Sequence, residues 1–227
     1  MRKLLIEAAL RVASYLYKRK RYCLTVRRAN LGCGMQCLPG WANIDGSLTA
    51  LLGSRKWRFI NRVLYHLAGS SAYYSFAEFD RVIRMCRLYF ADLRNGVPLG
   101  DGSMDVMYCS HFLEHLGKHD GERFLTECKR VLRRGGLLRL AVPDLDVAFA
   151  MYRDGECGRM LELFFYTSEQ WDFSAHKYNY NFDSIRSILD RLGYTDIRRF
   201  GYRQGECEGI EFLDVLPEHS LYVECRA

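Results

Sequence analysis

Residues 101–142 read DGSMDVMYCSHFLEHLGKHDGERFLTECKRVLRRGGLLRLAV, and the order of patterns in them decides the fold. The turn-rich Gly100-Asp101-Gly102-Ser103 gives way to MDVMYCS, a short apolar run that reads as a strand near 104–109. Residues 119–133 then carry Phe124, Leu125, Cys128, Val131 and Leu132 on one side of a helix. Arg134-Gly135-Gly136 stops that helix, and LLRLAV follows as a strand near 136–142. Two apolar strands joined by an amphipathic helix form the unit of a parallel sheet with a crossover helix.

The same alternation extends in both directions. Strands are expected near 26–31, 41–45 and 87–91. Beyond Pro143 the pattern loosens, then tightens into a helix across 183–192, with Asp183 or Phe182 as cap and staple and Gly193 as its stop. Terminal strands near 196–200 and 219–225 would close one edge of the sheet. The expected fold is α/β, a doubly wound, Rossmann-like, mostly parallel seven-stranded sheet with helices on both faces and a helical insertion after the second strand. With 227 residues, 49% of them hydrophobic, one domain over 25–227 can bury a full core, preceded by an arm at 1–24. The insertion, 46–86, is too long for a simple connection. Trp57, Phe59, Tyr65, Tyr73, Tyr74, Phe76 and Phe79 make it too apolar for a linker. It reads either as a cap over a pocket or as a structural subdomain.

The net charge of +6 is unevenly placed: residues 1–28 hold nine Lys/Arg against Glu7 alone, which leaves the rest at −2. A nearly neutral domain lacks the spread of cations that a nucleic-acid face requires, so no nucleic-acid partner is expected. In the arm, Leu4, Leu5, Ala8, Val12, Tyr15 and Leu16 recur at helical spacing ahead of Lys18, Arg19, Lys20 and Arg21. The bland reading is a helix packed on the domain with a solvated basic end; the sharper one is peripheral contact with an anionic membrane. Glu7 interrupts the apolar start and no cleavage site follows, so no signal peptide is expected. No run of about 18 uncharged apolar residues occurs, so no membrane-spanning helix is expected either. Nine cysteines, an odd number without a C-x-x-C pair, point to a reducing, cytoplasmic setting and to buried thiols.

Chemistry enters at Asn30-Leu31-Gly32-Cys33-Gly34, directly after the first strand. Glycines there let the backbone turn sharply and approach a ligand that a side chain would exclude. The third glycine of the dinucleotide fingerprint is absent, which weakens a nicotinamide or flavin reading. Asp45 ends the second strand, where an acid can accept from both ribose hydroxyls. It stands thirteen residues after Gly32, against about 20 in the dinucleotide pattern, which implies an abbreviated first helix. Asp92 ends the third strand and can accept from an adenine amino group beside the Leu93 amide. Either acid may be read instead as a turn former.

In that order, NLGCG, PGWANID, ADLRNGVPLGDGSMDVMYCSHFLEHL and ECKRVLRRGGLLRLAVPDL resemble class I S-adenosylmethionine-dependent methyltransferases of the type 11 group, above all members assigned to polysaccharide or cell-surface glycan pathways. HKYNYNFDSIRSILDRLGY and SLYVEC extend the resemblance, which spans about 28–225. It implies that S-adenosylmethionine is the cofactor. It also implies that Asn30, Gly32, Cys33 and Gly34 hold its methionine end, Asp45 its ribose, and Asp92 and Leu93 its adenine. Cys109, Ser110 and His111 would border the sulfonium and a small-molecule or glycan acceptor. The 46–86 insertion and the basic arm depart from many relatives, and leave the acceptor open between a sugar hydroxyl and a small metabolite or lipid. A noncatalytic module that keeps the fold is the rival reading.

Methyl transfer is an in-line displacement that depends mainly on positioning, and a hydroxyl acceptor also needs a base. His111, just past a strand at the carboxyl edge, is the first candidate, and His176 in an aromatic loop is the second. His111-Phe112-Leu113-Glu114-His115 also fits H-x-x-E-H, the inverted zinc-protease signature, but it straddles a strand end and a helix start. A divalent ion on His111, Glu114, His115 and His176 is a further reading, against which Mg²⁺ prefers oxygen ligands. Local hydrogen bonding of Glu114 and His115 at the helix start is preferred, and no metal is expected.

Overall fold

The computed structural model describes residues 2–52, 58–165 and 175–227. In chain order the elements are α1 (Arg2–Tyr17), β1 (Arg28–Leu31), β2 (Ala42–Asp45), α2 (Leu48–Leu52), α3 (Arg58–Leu67), α4 (Phe76–Met85), β3 (Leu88–Phe90), β4 (Met104–Ser110), α5 (Lys118–Val131), β5 (Leu132–Pro143), α6 (Leu145–Arg153), α7 (Cys157–Phe164), α8 (Phe182–Arg191), β6 (Thr195–Phe200), α9 (Ile210–Leu213) and β7 (Ser220–Arg226). Short 3₁₀ turns occupy Ser70–Ala72, Leu93–Asn95 and Leu113–His115. Among the described residues one seven-stranded sheet forms, in the order β3-β2-β1-β4-β5-β7-β6. Strands β1 to β5 run parallel, and β7 is antiparallel to both β5 and β6.

The apolar runs fill the main core. Ala29, Leu31, Ile44, Met107, Leu138, Leu140, Val142 and Val223 are all essentially inaccessible, and the predicted face of α5 packs on them through Phe124, Leu125, Cys128 and Val131. Between β1 and β2 the expected short helix is absent. Two buried asparagines replace it by binding the loop directly: Asn30 Nδ2 donates to the Gln36 carbonyl (2.6 Å), while Asn43 takes the Leu38 amide (3.2 Å) and donates to the Leu38 carbonyl (2.9 Å). A side-chain amide offers both a donor and an acceptor, so it can satisfy a loop that no helix organises. At α8 the cap is Asn181, not Asp183 or Phe182; it forms a reciprocal box with Ser184, and Gly193 (φ 78°) follows the helix as expected.

The insertion forms helices α2 to α4 around a second small core of Leu64, Tyr65, Phe79 and Ile83. The Tyr65 ring meets Phe76 and Phe79, whereas Phe59 and Tyr73 are exposed and Trp57 lies outside the described residues. Helix α1 does lie on the domain, but on the face opposite to the stripe the sequence suggested. Ala13 is buried, with Leu10 and Tyr17 packed beside it, and Leu4, Leu5, Val12, Tyr15 and Leu16 are each at least 59% exposed. The helix is apolar on two sides, so periodicity alone selected the wrong one. No described helix is long and apolar enough to cross a membrane.

A buried ion network that the sequence reading did not anticipate ties the antiparallel edge to the parallel sheet. Arg139 of β5 is fully buried; its guanidinium grips Asp214 with two bonds (3.0 and 2.5 Å) and reaches Glu224, its cross-strand partner on β7, at 2.8 Å. The carboxylates are satisfied elsewhere too: Asp214 takes the Arg203 amide and the Tyr108 hydroxyl, and Glu224 takes the amides of Glu206 and Cys207. Breaking such a network from one side leaves a charge stranded in the interior. Asp214→Ala is expected to destabilise the fold by about 3–5 kcal/mol, read as a loss in denaturant midpoint, and an unchanged midpoint would refute the account.

Candidate functional site

Strand order reverses about β1, with β2 and β3 to one side and β4 and β5 to the other. The carboxyl ends of the strands beside such a reversal splay apart and leave a crevice. Here the crevice is a cavity of about 480 Å³ lined by Gly32, Asp45, Asp92, Leu93 and His111, the residues that follow or end β1, β2, β3 and β4.

The bend after β1 is left-handed at both glycines, Gly32 (φ 66°) and Gly34 (φ 50°). A Cβ on Gly32 would stand 2.8 Å from Phe112 Cβ, so the side chain is excluded by the neighbouring turn as well as by the dihedral. Gly32 and Cys33 donate their amides to the Ile44 carbonyl, and Gly34 donates to Asp45 Oδ2 at 2.9 Å. Asp45 Oδ1 receives the Ser47 amide at 2.8 Å. Asp45 therefore pins the glycine bend in addition to facing the cavity.

Asp92 caps the 3₁₀ turn that follows it and is held by Arg94 (2.8 Å from each guanidinium nitrogen used) and by the hydroxyl of Ser14 from α1 (2.6 Å). Burial alone would raise its carboxyl, but the Arg94 and Ser14 bonds outweigh that and hold it below the ordinary carboxylate value. Helix α1 thus forms part of the cavity wall, contributing Leu10, Arg11 and Ser14.

His111 follows β4 in a left-handed conformation (φ 48°), a strain of about 1–3 kcal/mol that the surrounding structure must impose. Its Nδ1 faces Glu114 Oε1 at 3.2 Å and its Nε2 faces Ser220 Oγ at 3.0 Å. With a carboxylate on Nδ1, the proton sits there and Nε2 is left as the basic nitrogen. His115 also lines the cavity, and the His176 ring packs edge-on against it with centroids 5.1 Å apart. Burial lowers the His176 imidazole below its ordinary value, partly offset by the charge of Glu114.

Several expected residues stand apart from the cavity. Asn30 is buried and committed to the Gln36 carbonyl. Cys33 and Cys109 are buried core thiols that burial pushes up in pKa, and the Cys33 sulfur lies 3.8 Å from Cys37. Ser110 and His176 do not line the cavity, and Gly34 reaches it through its bond to Asp45.

Residues 77–140 match the family described as "Methyltransferase domain". Over 109 residues the chain is 33% identical to a protein of Mycobacterium tuberculosis described as "Probable S-adenosylmethionine-dependent methyltransferase", which covers 48% of this chain and 33% of that one. A similarly described protein of Mycolicibacterium smegmatis is 39% identical over 67 residues, 28% of this chain and 25% of that one. The alignments thus span about a third or less of these relatives' length. Residues 77–140 thus match a methyltransferase domain, and the chain's relatives are described as S-adenosylmethionine-dependent methyltransferases. A crystal structure of a "SAM dependent methyltransferase" from Archaeoglobus fulgidus covers 99% of this chain and 94% of that one at 16% identity, with a TM-score of 0.49, and adds nothing to the assignment.

What the sequence reading missed at the site is the contribution of α1, whose Ser14 signal was indistinguishable from that of any polar helix residue, and the cavity-lining place of His115. Gly32→Ala should combine a forced left-handed alanine, about 1–2 kcal/mol, with the Phe112 collision. A lowered thermal midpoint together with weaker binding of S-adenosylhomocysteine is the expected outcome; wild-type values for both would remove the bend from the site.

Proposed function

We propose that this chain transfers the methyl group of S-adenosylmethionine to a hydroxyl of a sugar or glycan-linked precursor. The observation that carries the reading is the convergence of a glycine bend and two strand-end acids on one cavity, whose size falls within the range of about 300–1,000 Å³ usual for small-molecule sites. Asp45 is the acceptor for the ribose hydroxyls and Asp92 for the adenine amino group. The amides of the glycine bend and the Cys33 carbonyl are spent inside the protein, so the carbonyl of Gly32, the bend residue that lines the cavity, is what it offers to the ammonium of the methionine end.

In the reaction the acceptor oxygen bonds to the methyl carbon as the carbon–sulfur bond breaks, its electron pair remaining on sulfur to give the neutral thioether. The acceptor proton passes to His111 Nε2, the nitrogen left without a proton when Nδ1 donates to Glu114; His176 is the second candidate. The Ser220 hydroxyl, 3.0 Å from Nε2, gives way to the acceptor in this step. The 46–86 helices act as a cap on the acceptor side, a role supported by Leu48 and Ala68 in the cavity wall. The exposed apolar side of α1, flanked by Lys18, Arg19 and Lys20, supports peripheral attachment to an anionic membrane that presents the acceptor.

Isothermal titration of the full chain with S-adenosylhomocysteine tests the cofactor site. Asp45→Ala removes charged hydrogen bonds of about 1.5–3 kcal/mol, a loss of roughly 10- to 100-fold in affinity; absence of any binding to folded wild type ends the proposal. The membrane arm is tested by co-sedimentation with phosphatidylglycerol and phosphatidylcholine vesicles. Val12→Glu with Leu16→Glu, both on the exposed side of α1, should abolish binding to the anionic vesicles, and undiminished binding would exclude α1 as the anchor.

A further inference from the structure

The sequence reading set aside a metal ion on His111, Glu114, His115 and His176; the structure reopens the question with three of those four. One ligand atom each from Glu114, His115 and His176 lies within 4.8 Å of the other two. Glu114 is fully buried, and its Oε2 has no hydrogen-bond partner among the described residues. A carboxylate oxygen shielded from water and left unpaired is expensive, and a cation at that oxygen removes the cost.

We propose that Glu114, His115 and His176 bind one divalent transition-metal ion, of the zinc, cobalt or manganese kind, which takes the acceptor hydroxyl of the methylation reaction as a further ligand. Both imidazoles are oriented as metal ligands are. His115 Nδ1 is hydrogen-bonded to the Ala175 carbonyl (3.2 Å) and His176 Nδ1 to the Phe164 carbonyl (3.1 Å). A main-chain acceptor on Nδ1 fixes the proton there and puts the lone pair on Nε2, the second-shell arrangement that positions ligating histidines. His111 does the same for the carboxylate: it occupies Oε1 and leaves Oε2 for the ion. Two imidazoles and one carboxylate form a mixed nitrogen and oxygen set that suits borderline ions and disfavours Mg²⁺ and Ca²⁺.

The distances and the location both fit. Donors bound to one ion stand about 3.4 Å apart when each is about 2.0–2.2 Å from it, so donors within 4.8 Å close on it by side-chain rotation. Two main-chain bonds hold the loop that carries His176 against the turn that carries the other ligands: the amides of Lys177 (2.8 Å) and Tyr178 (3.2 Å) both donate to the Glu114 carbonyl. His115 lines the cavity, so a coordination position not filled by protein opens toward the acceptor. There the ion acidifies the hydroxyl, and the proton leaves to His111 Nε2.

The role given to the ion rests on the reaction proposed above, but ion binding itself does not. The full chain, stripped with chelator, is titrated with Co²⁺ and followed by visible absorbance, and the same samples are titrated with S-adenosylhomocysteine. We expect one Co²⁺ per chain, retained against excess Mg²⁺. Glu114→Gln and His176→Gln should each weaken Co²⁺ binding at least tenfold, and His119→Gln, at an exposed position on α5, should leave it unchanged. Circular dichroism verifies that each variant is folded, and His176→Gln decides alone if the buried glutamate variant does not fold. Absence of cobalt bands from wild type, or wild-type binding by folded His176→Gln, overturns the metal site. If the nucleoside still binds in that case, the cofactor reading stands; if cobalt binds and the nucleoside does not, the metal site stands and the methyltransfer reading falls.

Discussion

The turns that leave β1 and β4 are pressed into contact at one point, Gly32 against Phe112, where a methyl group would come to 2.8 Å from a neighbouring carbon. The strands themselves are neighbours in register, Leu31 opposite Cys109, so the space between their turns is set by the sheet. Phe112 transmits that spacing in two directions. Its ring packs on Phe124 of α5, centroids 5.1 Å apart, which anchors it in the core. Its main chain runs directly into Leu113–His115, the turn that carries Glu114 and His115. The separation between the glycine bend and the histidine cluster is therefore fixed by close packing, which is stiff on the scale of a single methyl group.

Buried charge around Arg139 and at Glu114 is handled in opposite ways, and the contrast separates stability from function. Around Arg139 every charge has a partner: two carboxylates for one guanidinium, with main-chain amides and a tyrosine hydroxyl on the remaining lone pairs. Such closure secures β7 and α9 to the parallel strands and leaves nothing to offer a ligand. Glu114, equally buried, has one oxygen on His111 and the other unpartnered. A half-satisfied carboxylate in a well-packed interior is unstable on its own account, and it lies beside the cavity wall. The same energetic rule makes the first cluster structural and supports the cation proposed at the second.

Much of this was legible because burial on both faces writes itself as apolar runs: MDVMYCS became β4 and LLRLAV the core of β5, and the strand-end positions of Asp45 and Asp92 followed. The failures share a cause in contacts that are distant in sequence. The β1–β2 loop lacks a helix because Asn30 and Asn43 bind it from the strands, and asparagines in strands announce nothing by period. Helix α1 is apolar on two sides, and only the position of Ala13 against the insertion core selects the buried one. Arg139 in the middle of LLRLAV is satisfied by partners 75 and 85 residues away, which no local pattern reveals.

At 111–115 the backbone explains what spacing alone leaves open. As a helical motif H-x-x-E-H pairs its two histidines four apart, and the segment was rejected because it is not a helix. It is indeed a single 3₁₀ turn that ends at Leu116 in extended conformation (ψ 143°). Because the chain is not helical at Leu116 and Gly117, before α5 begins at Lys118, the Glu114 carbonyl is not consumed by a helical amide. It accepts Lys177 and Tyr178 instead, and that pairing draws His176 to His115. Helical geometry at this segment would satisfy the carbonyl internally and leave the 175–178 loop without its attachment. The irregularity that disqualified the motif is thus what assembles Glu114, His115 and His176 from two distant segments, a grouping that no spacing within one segment encodes.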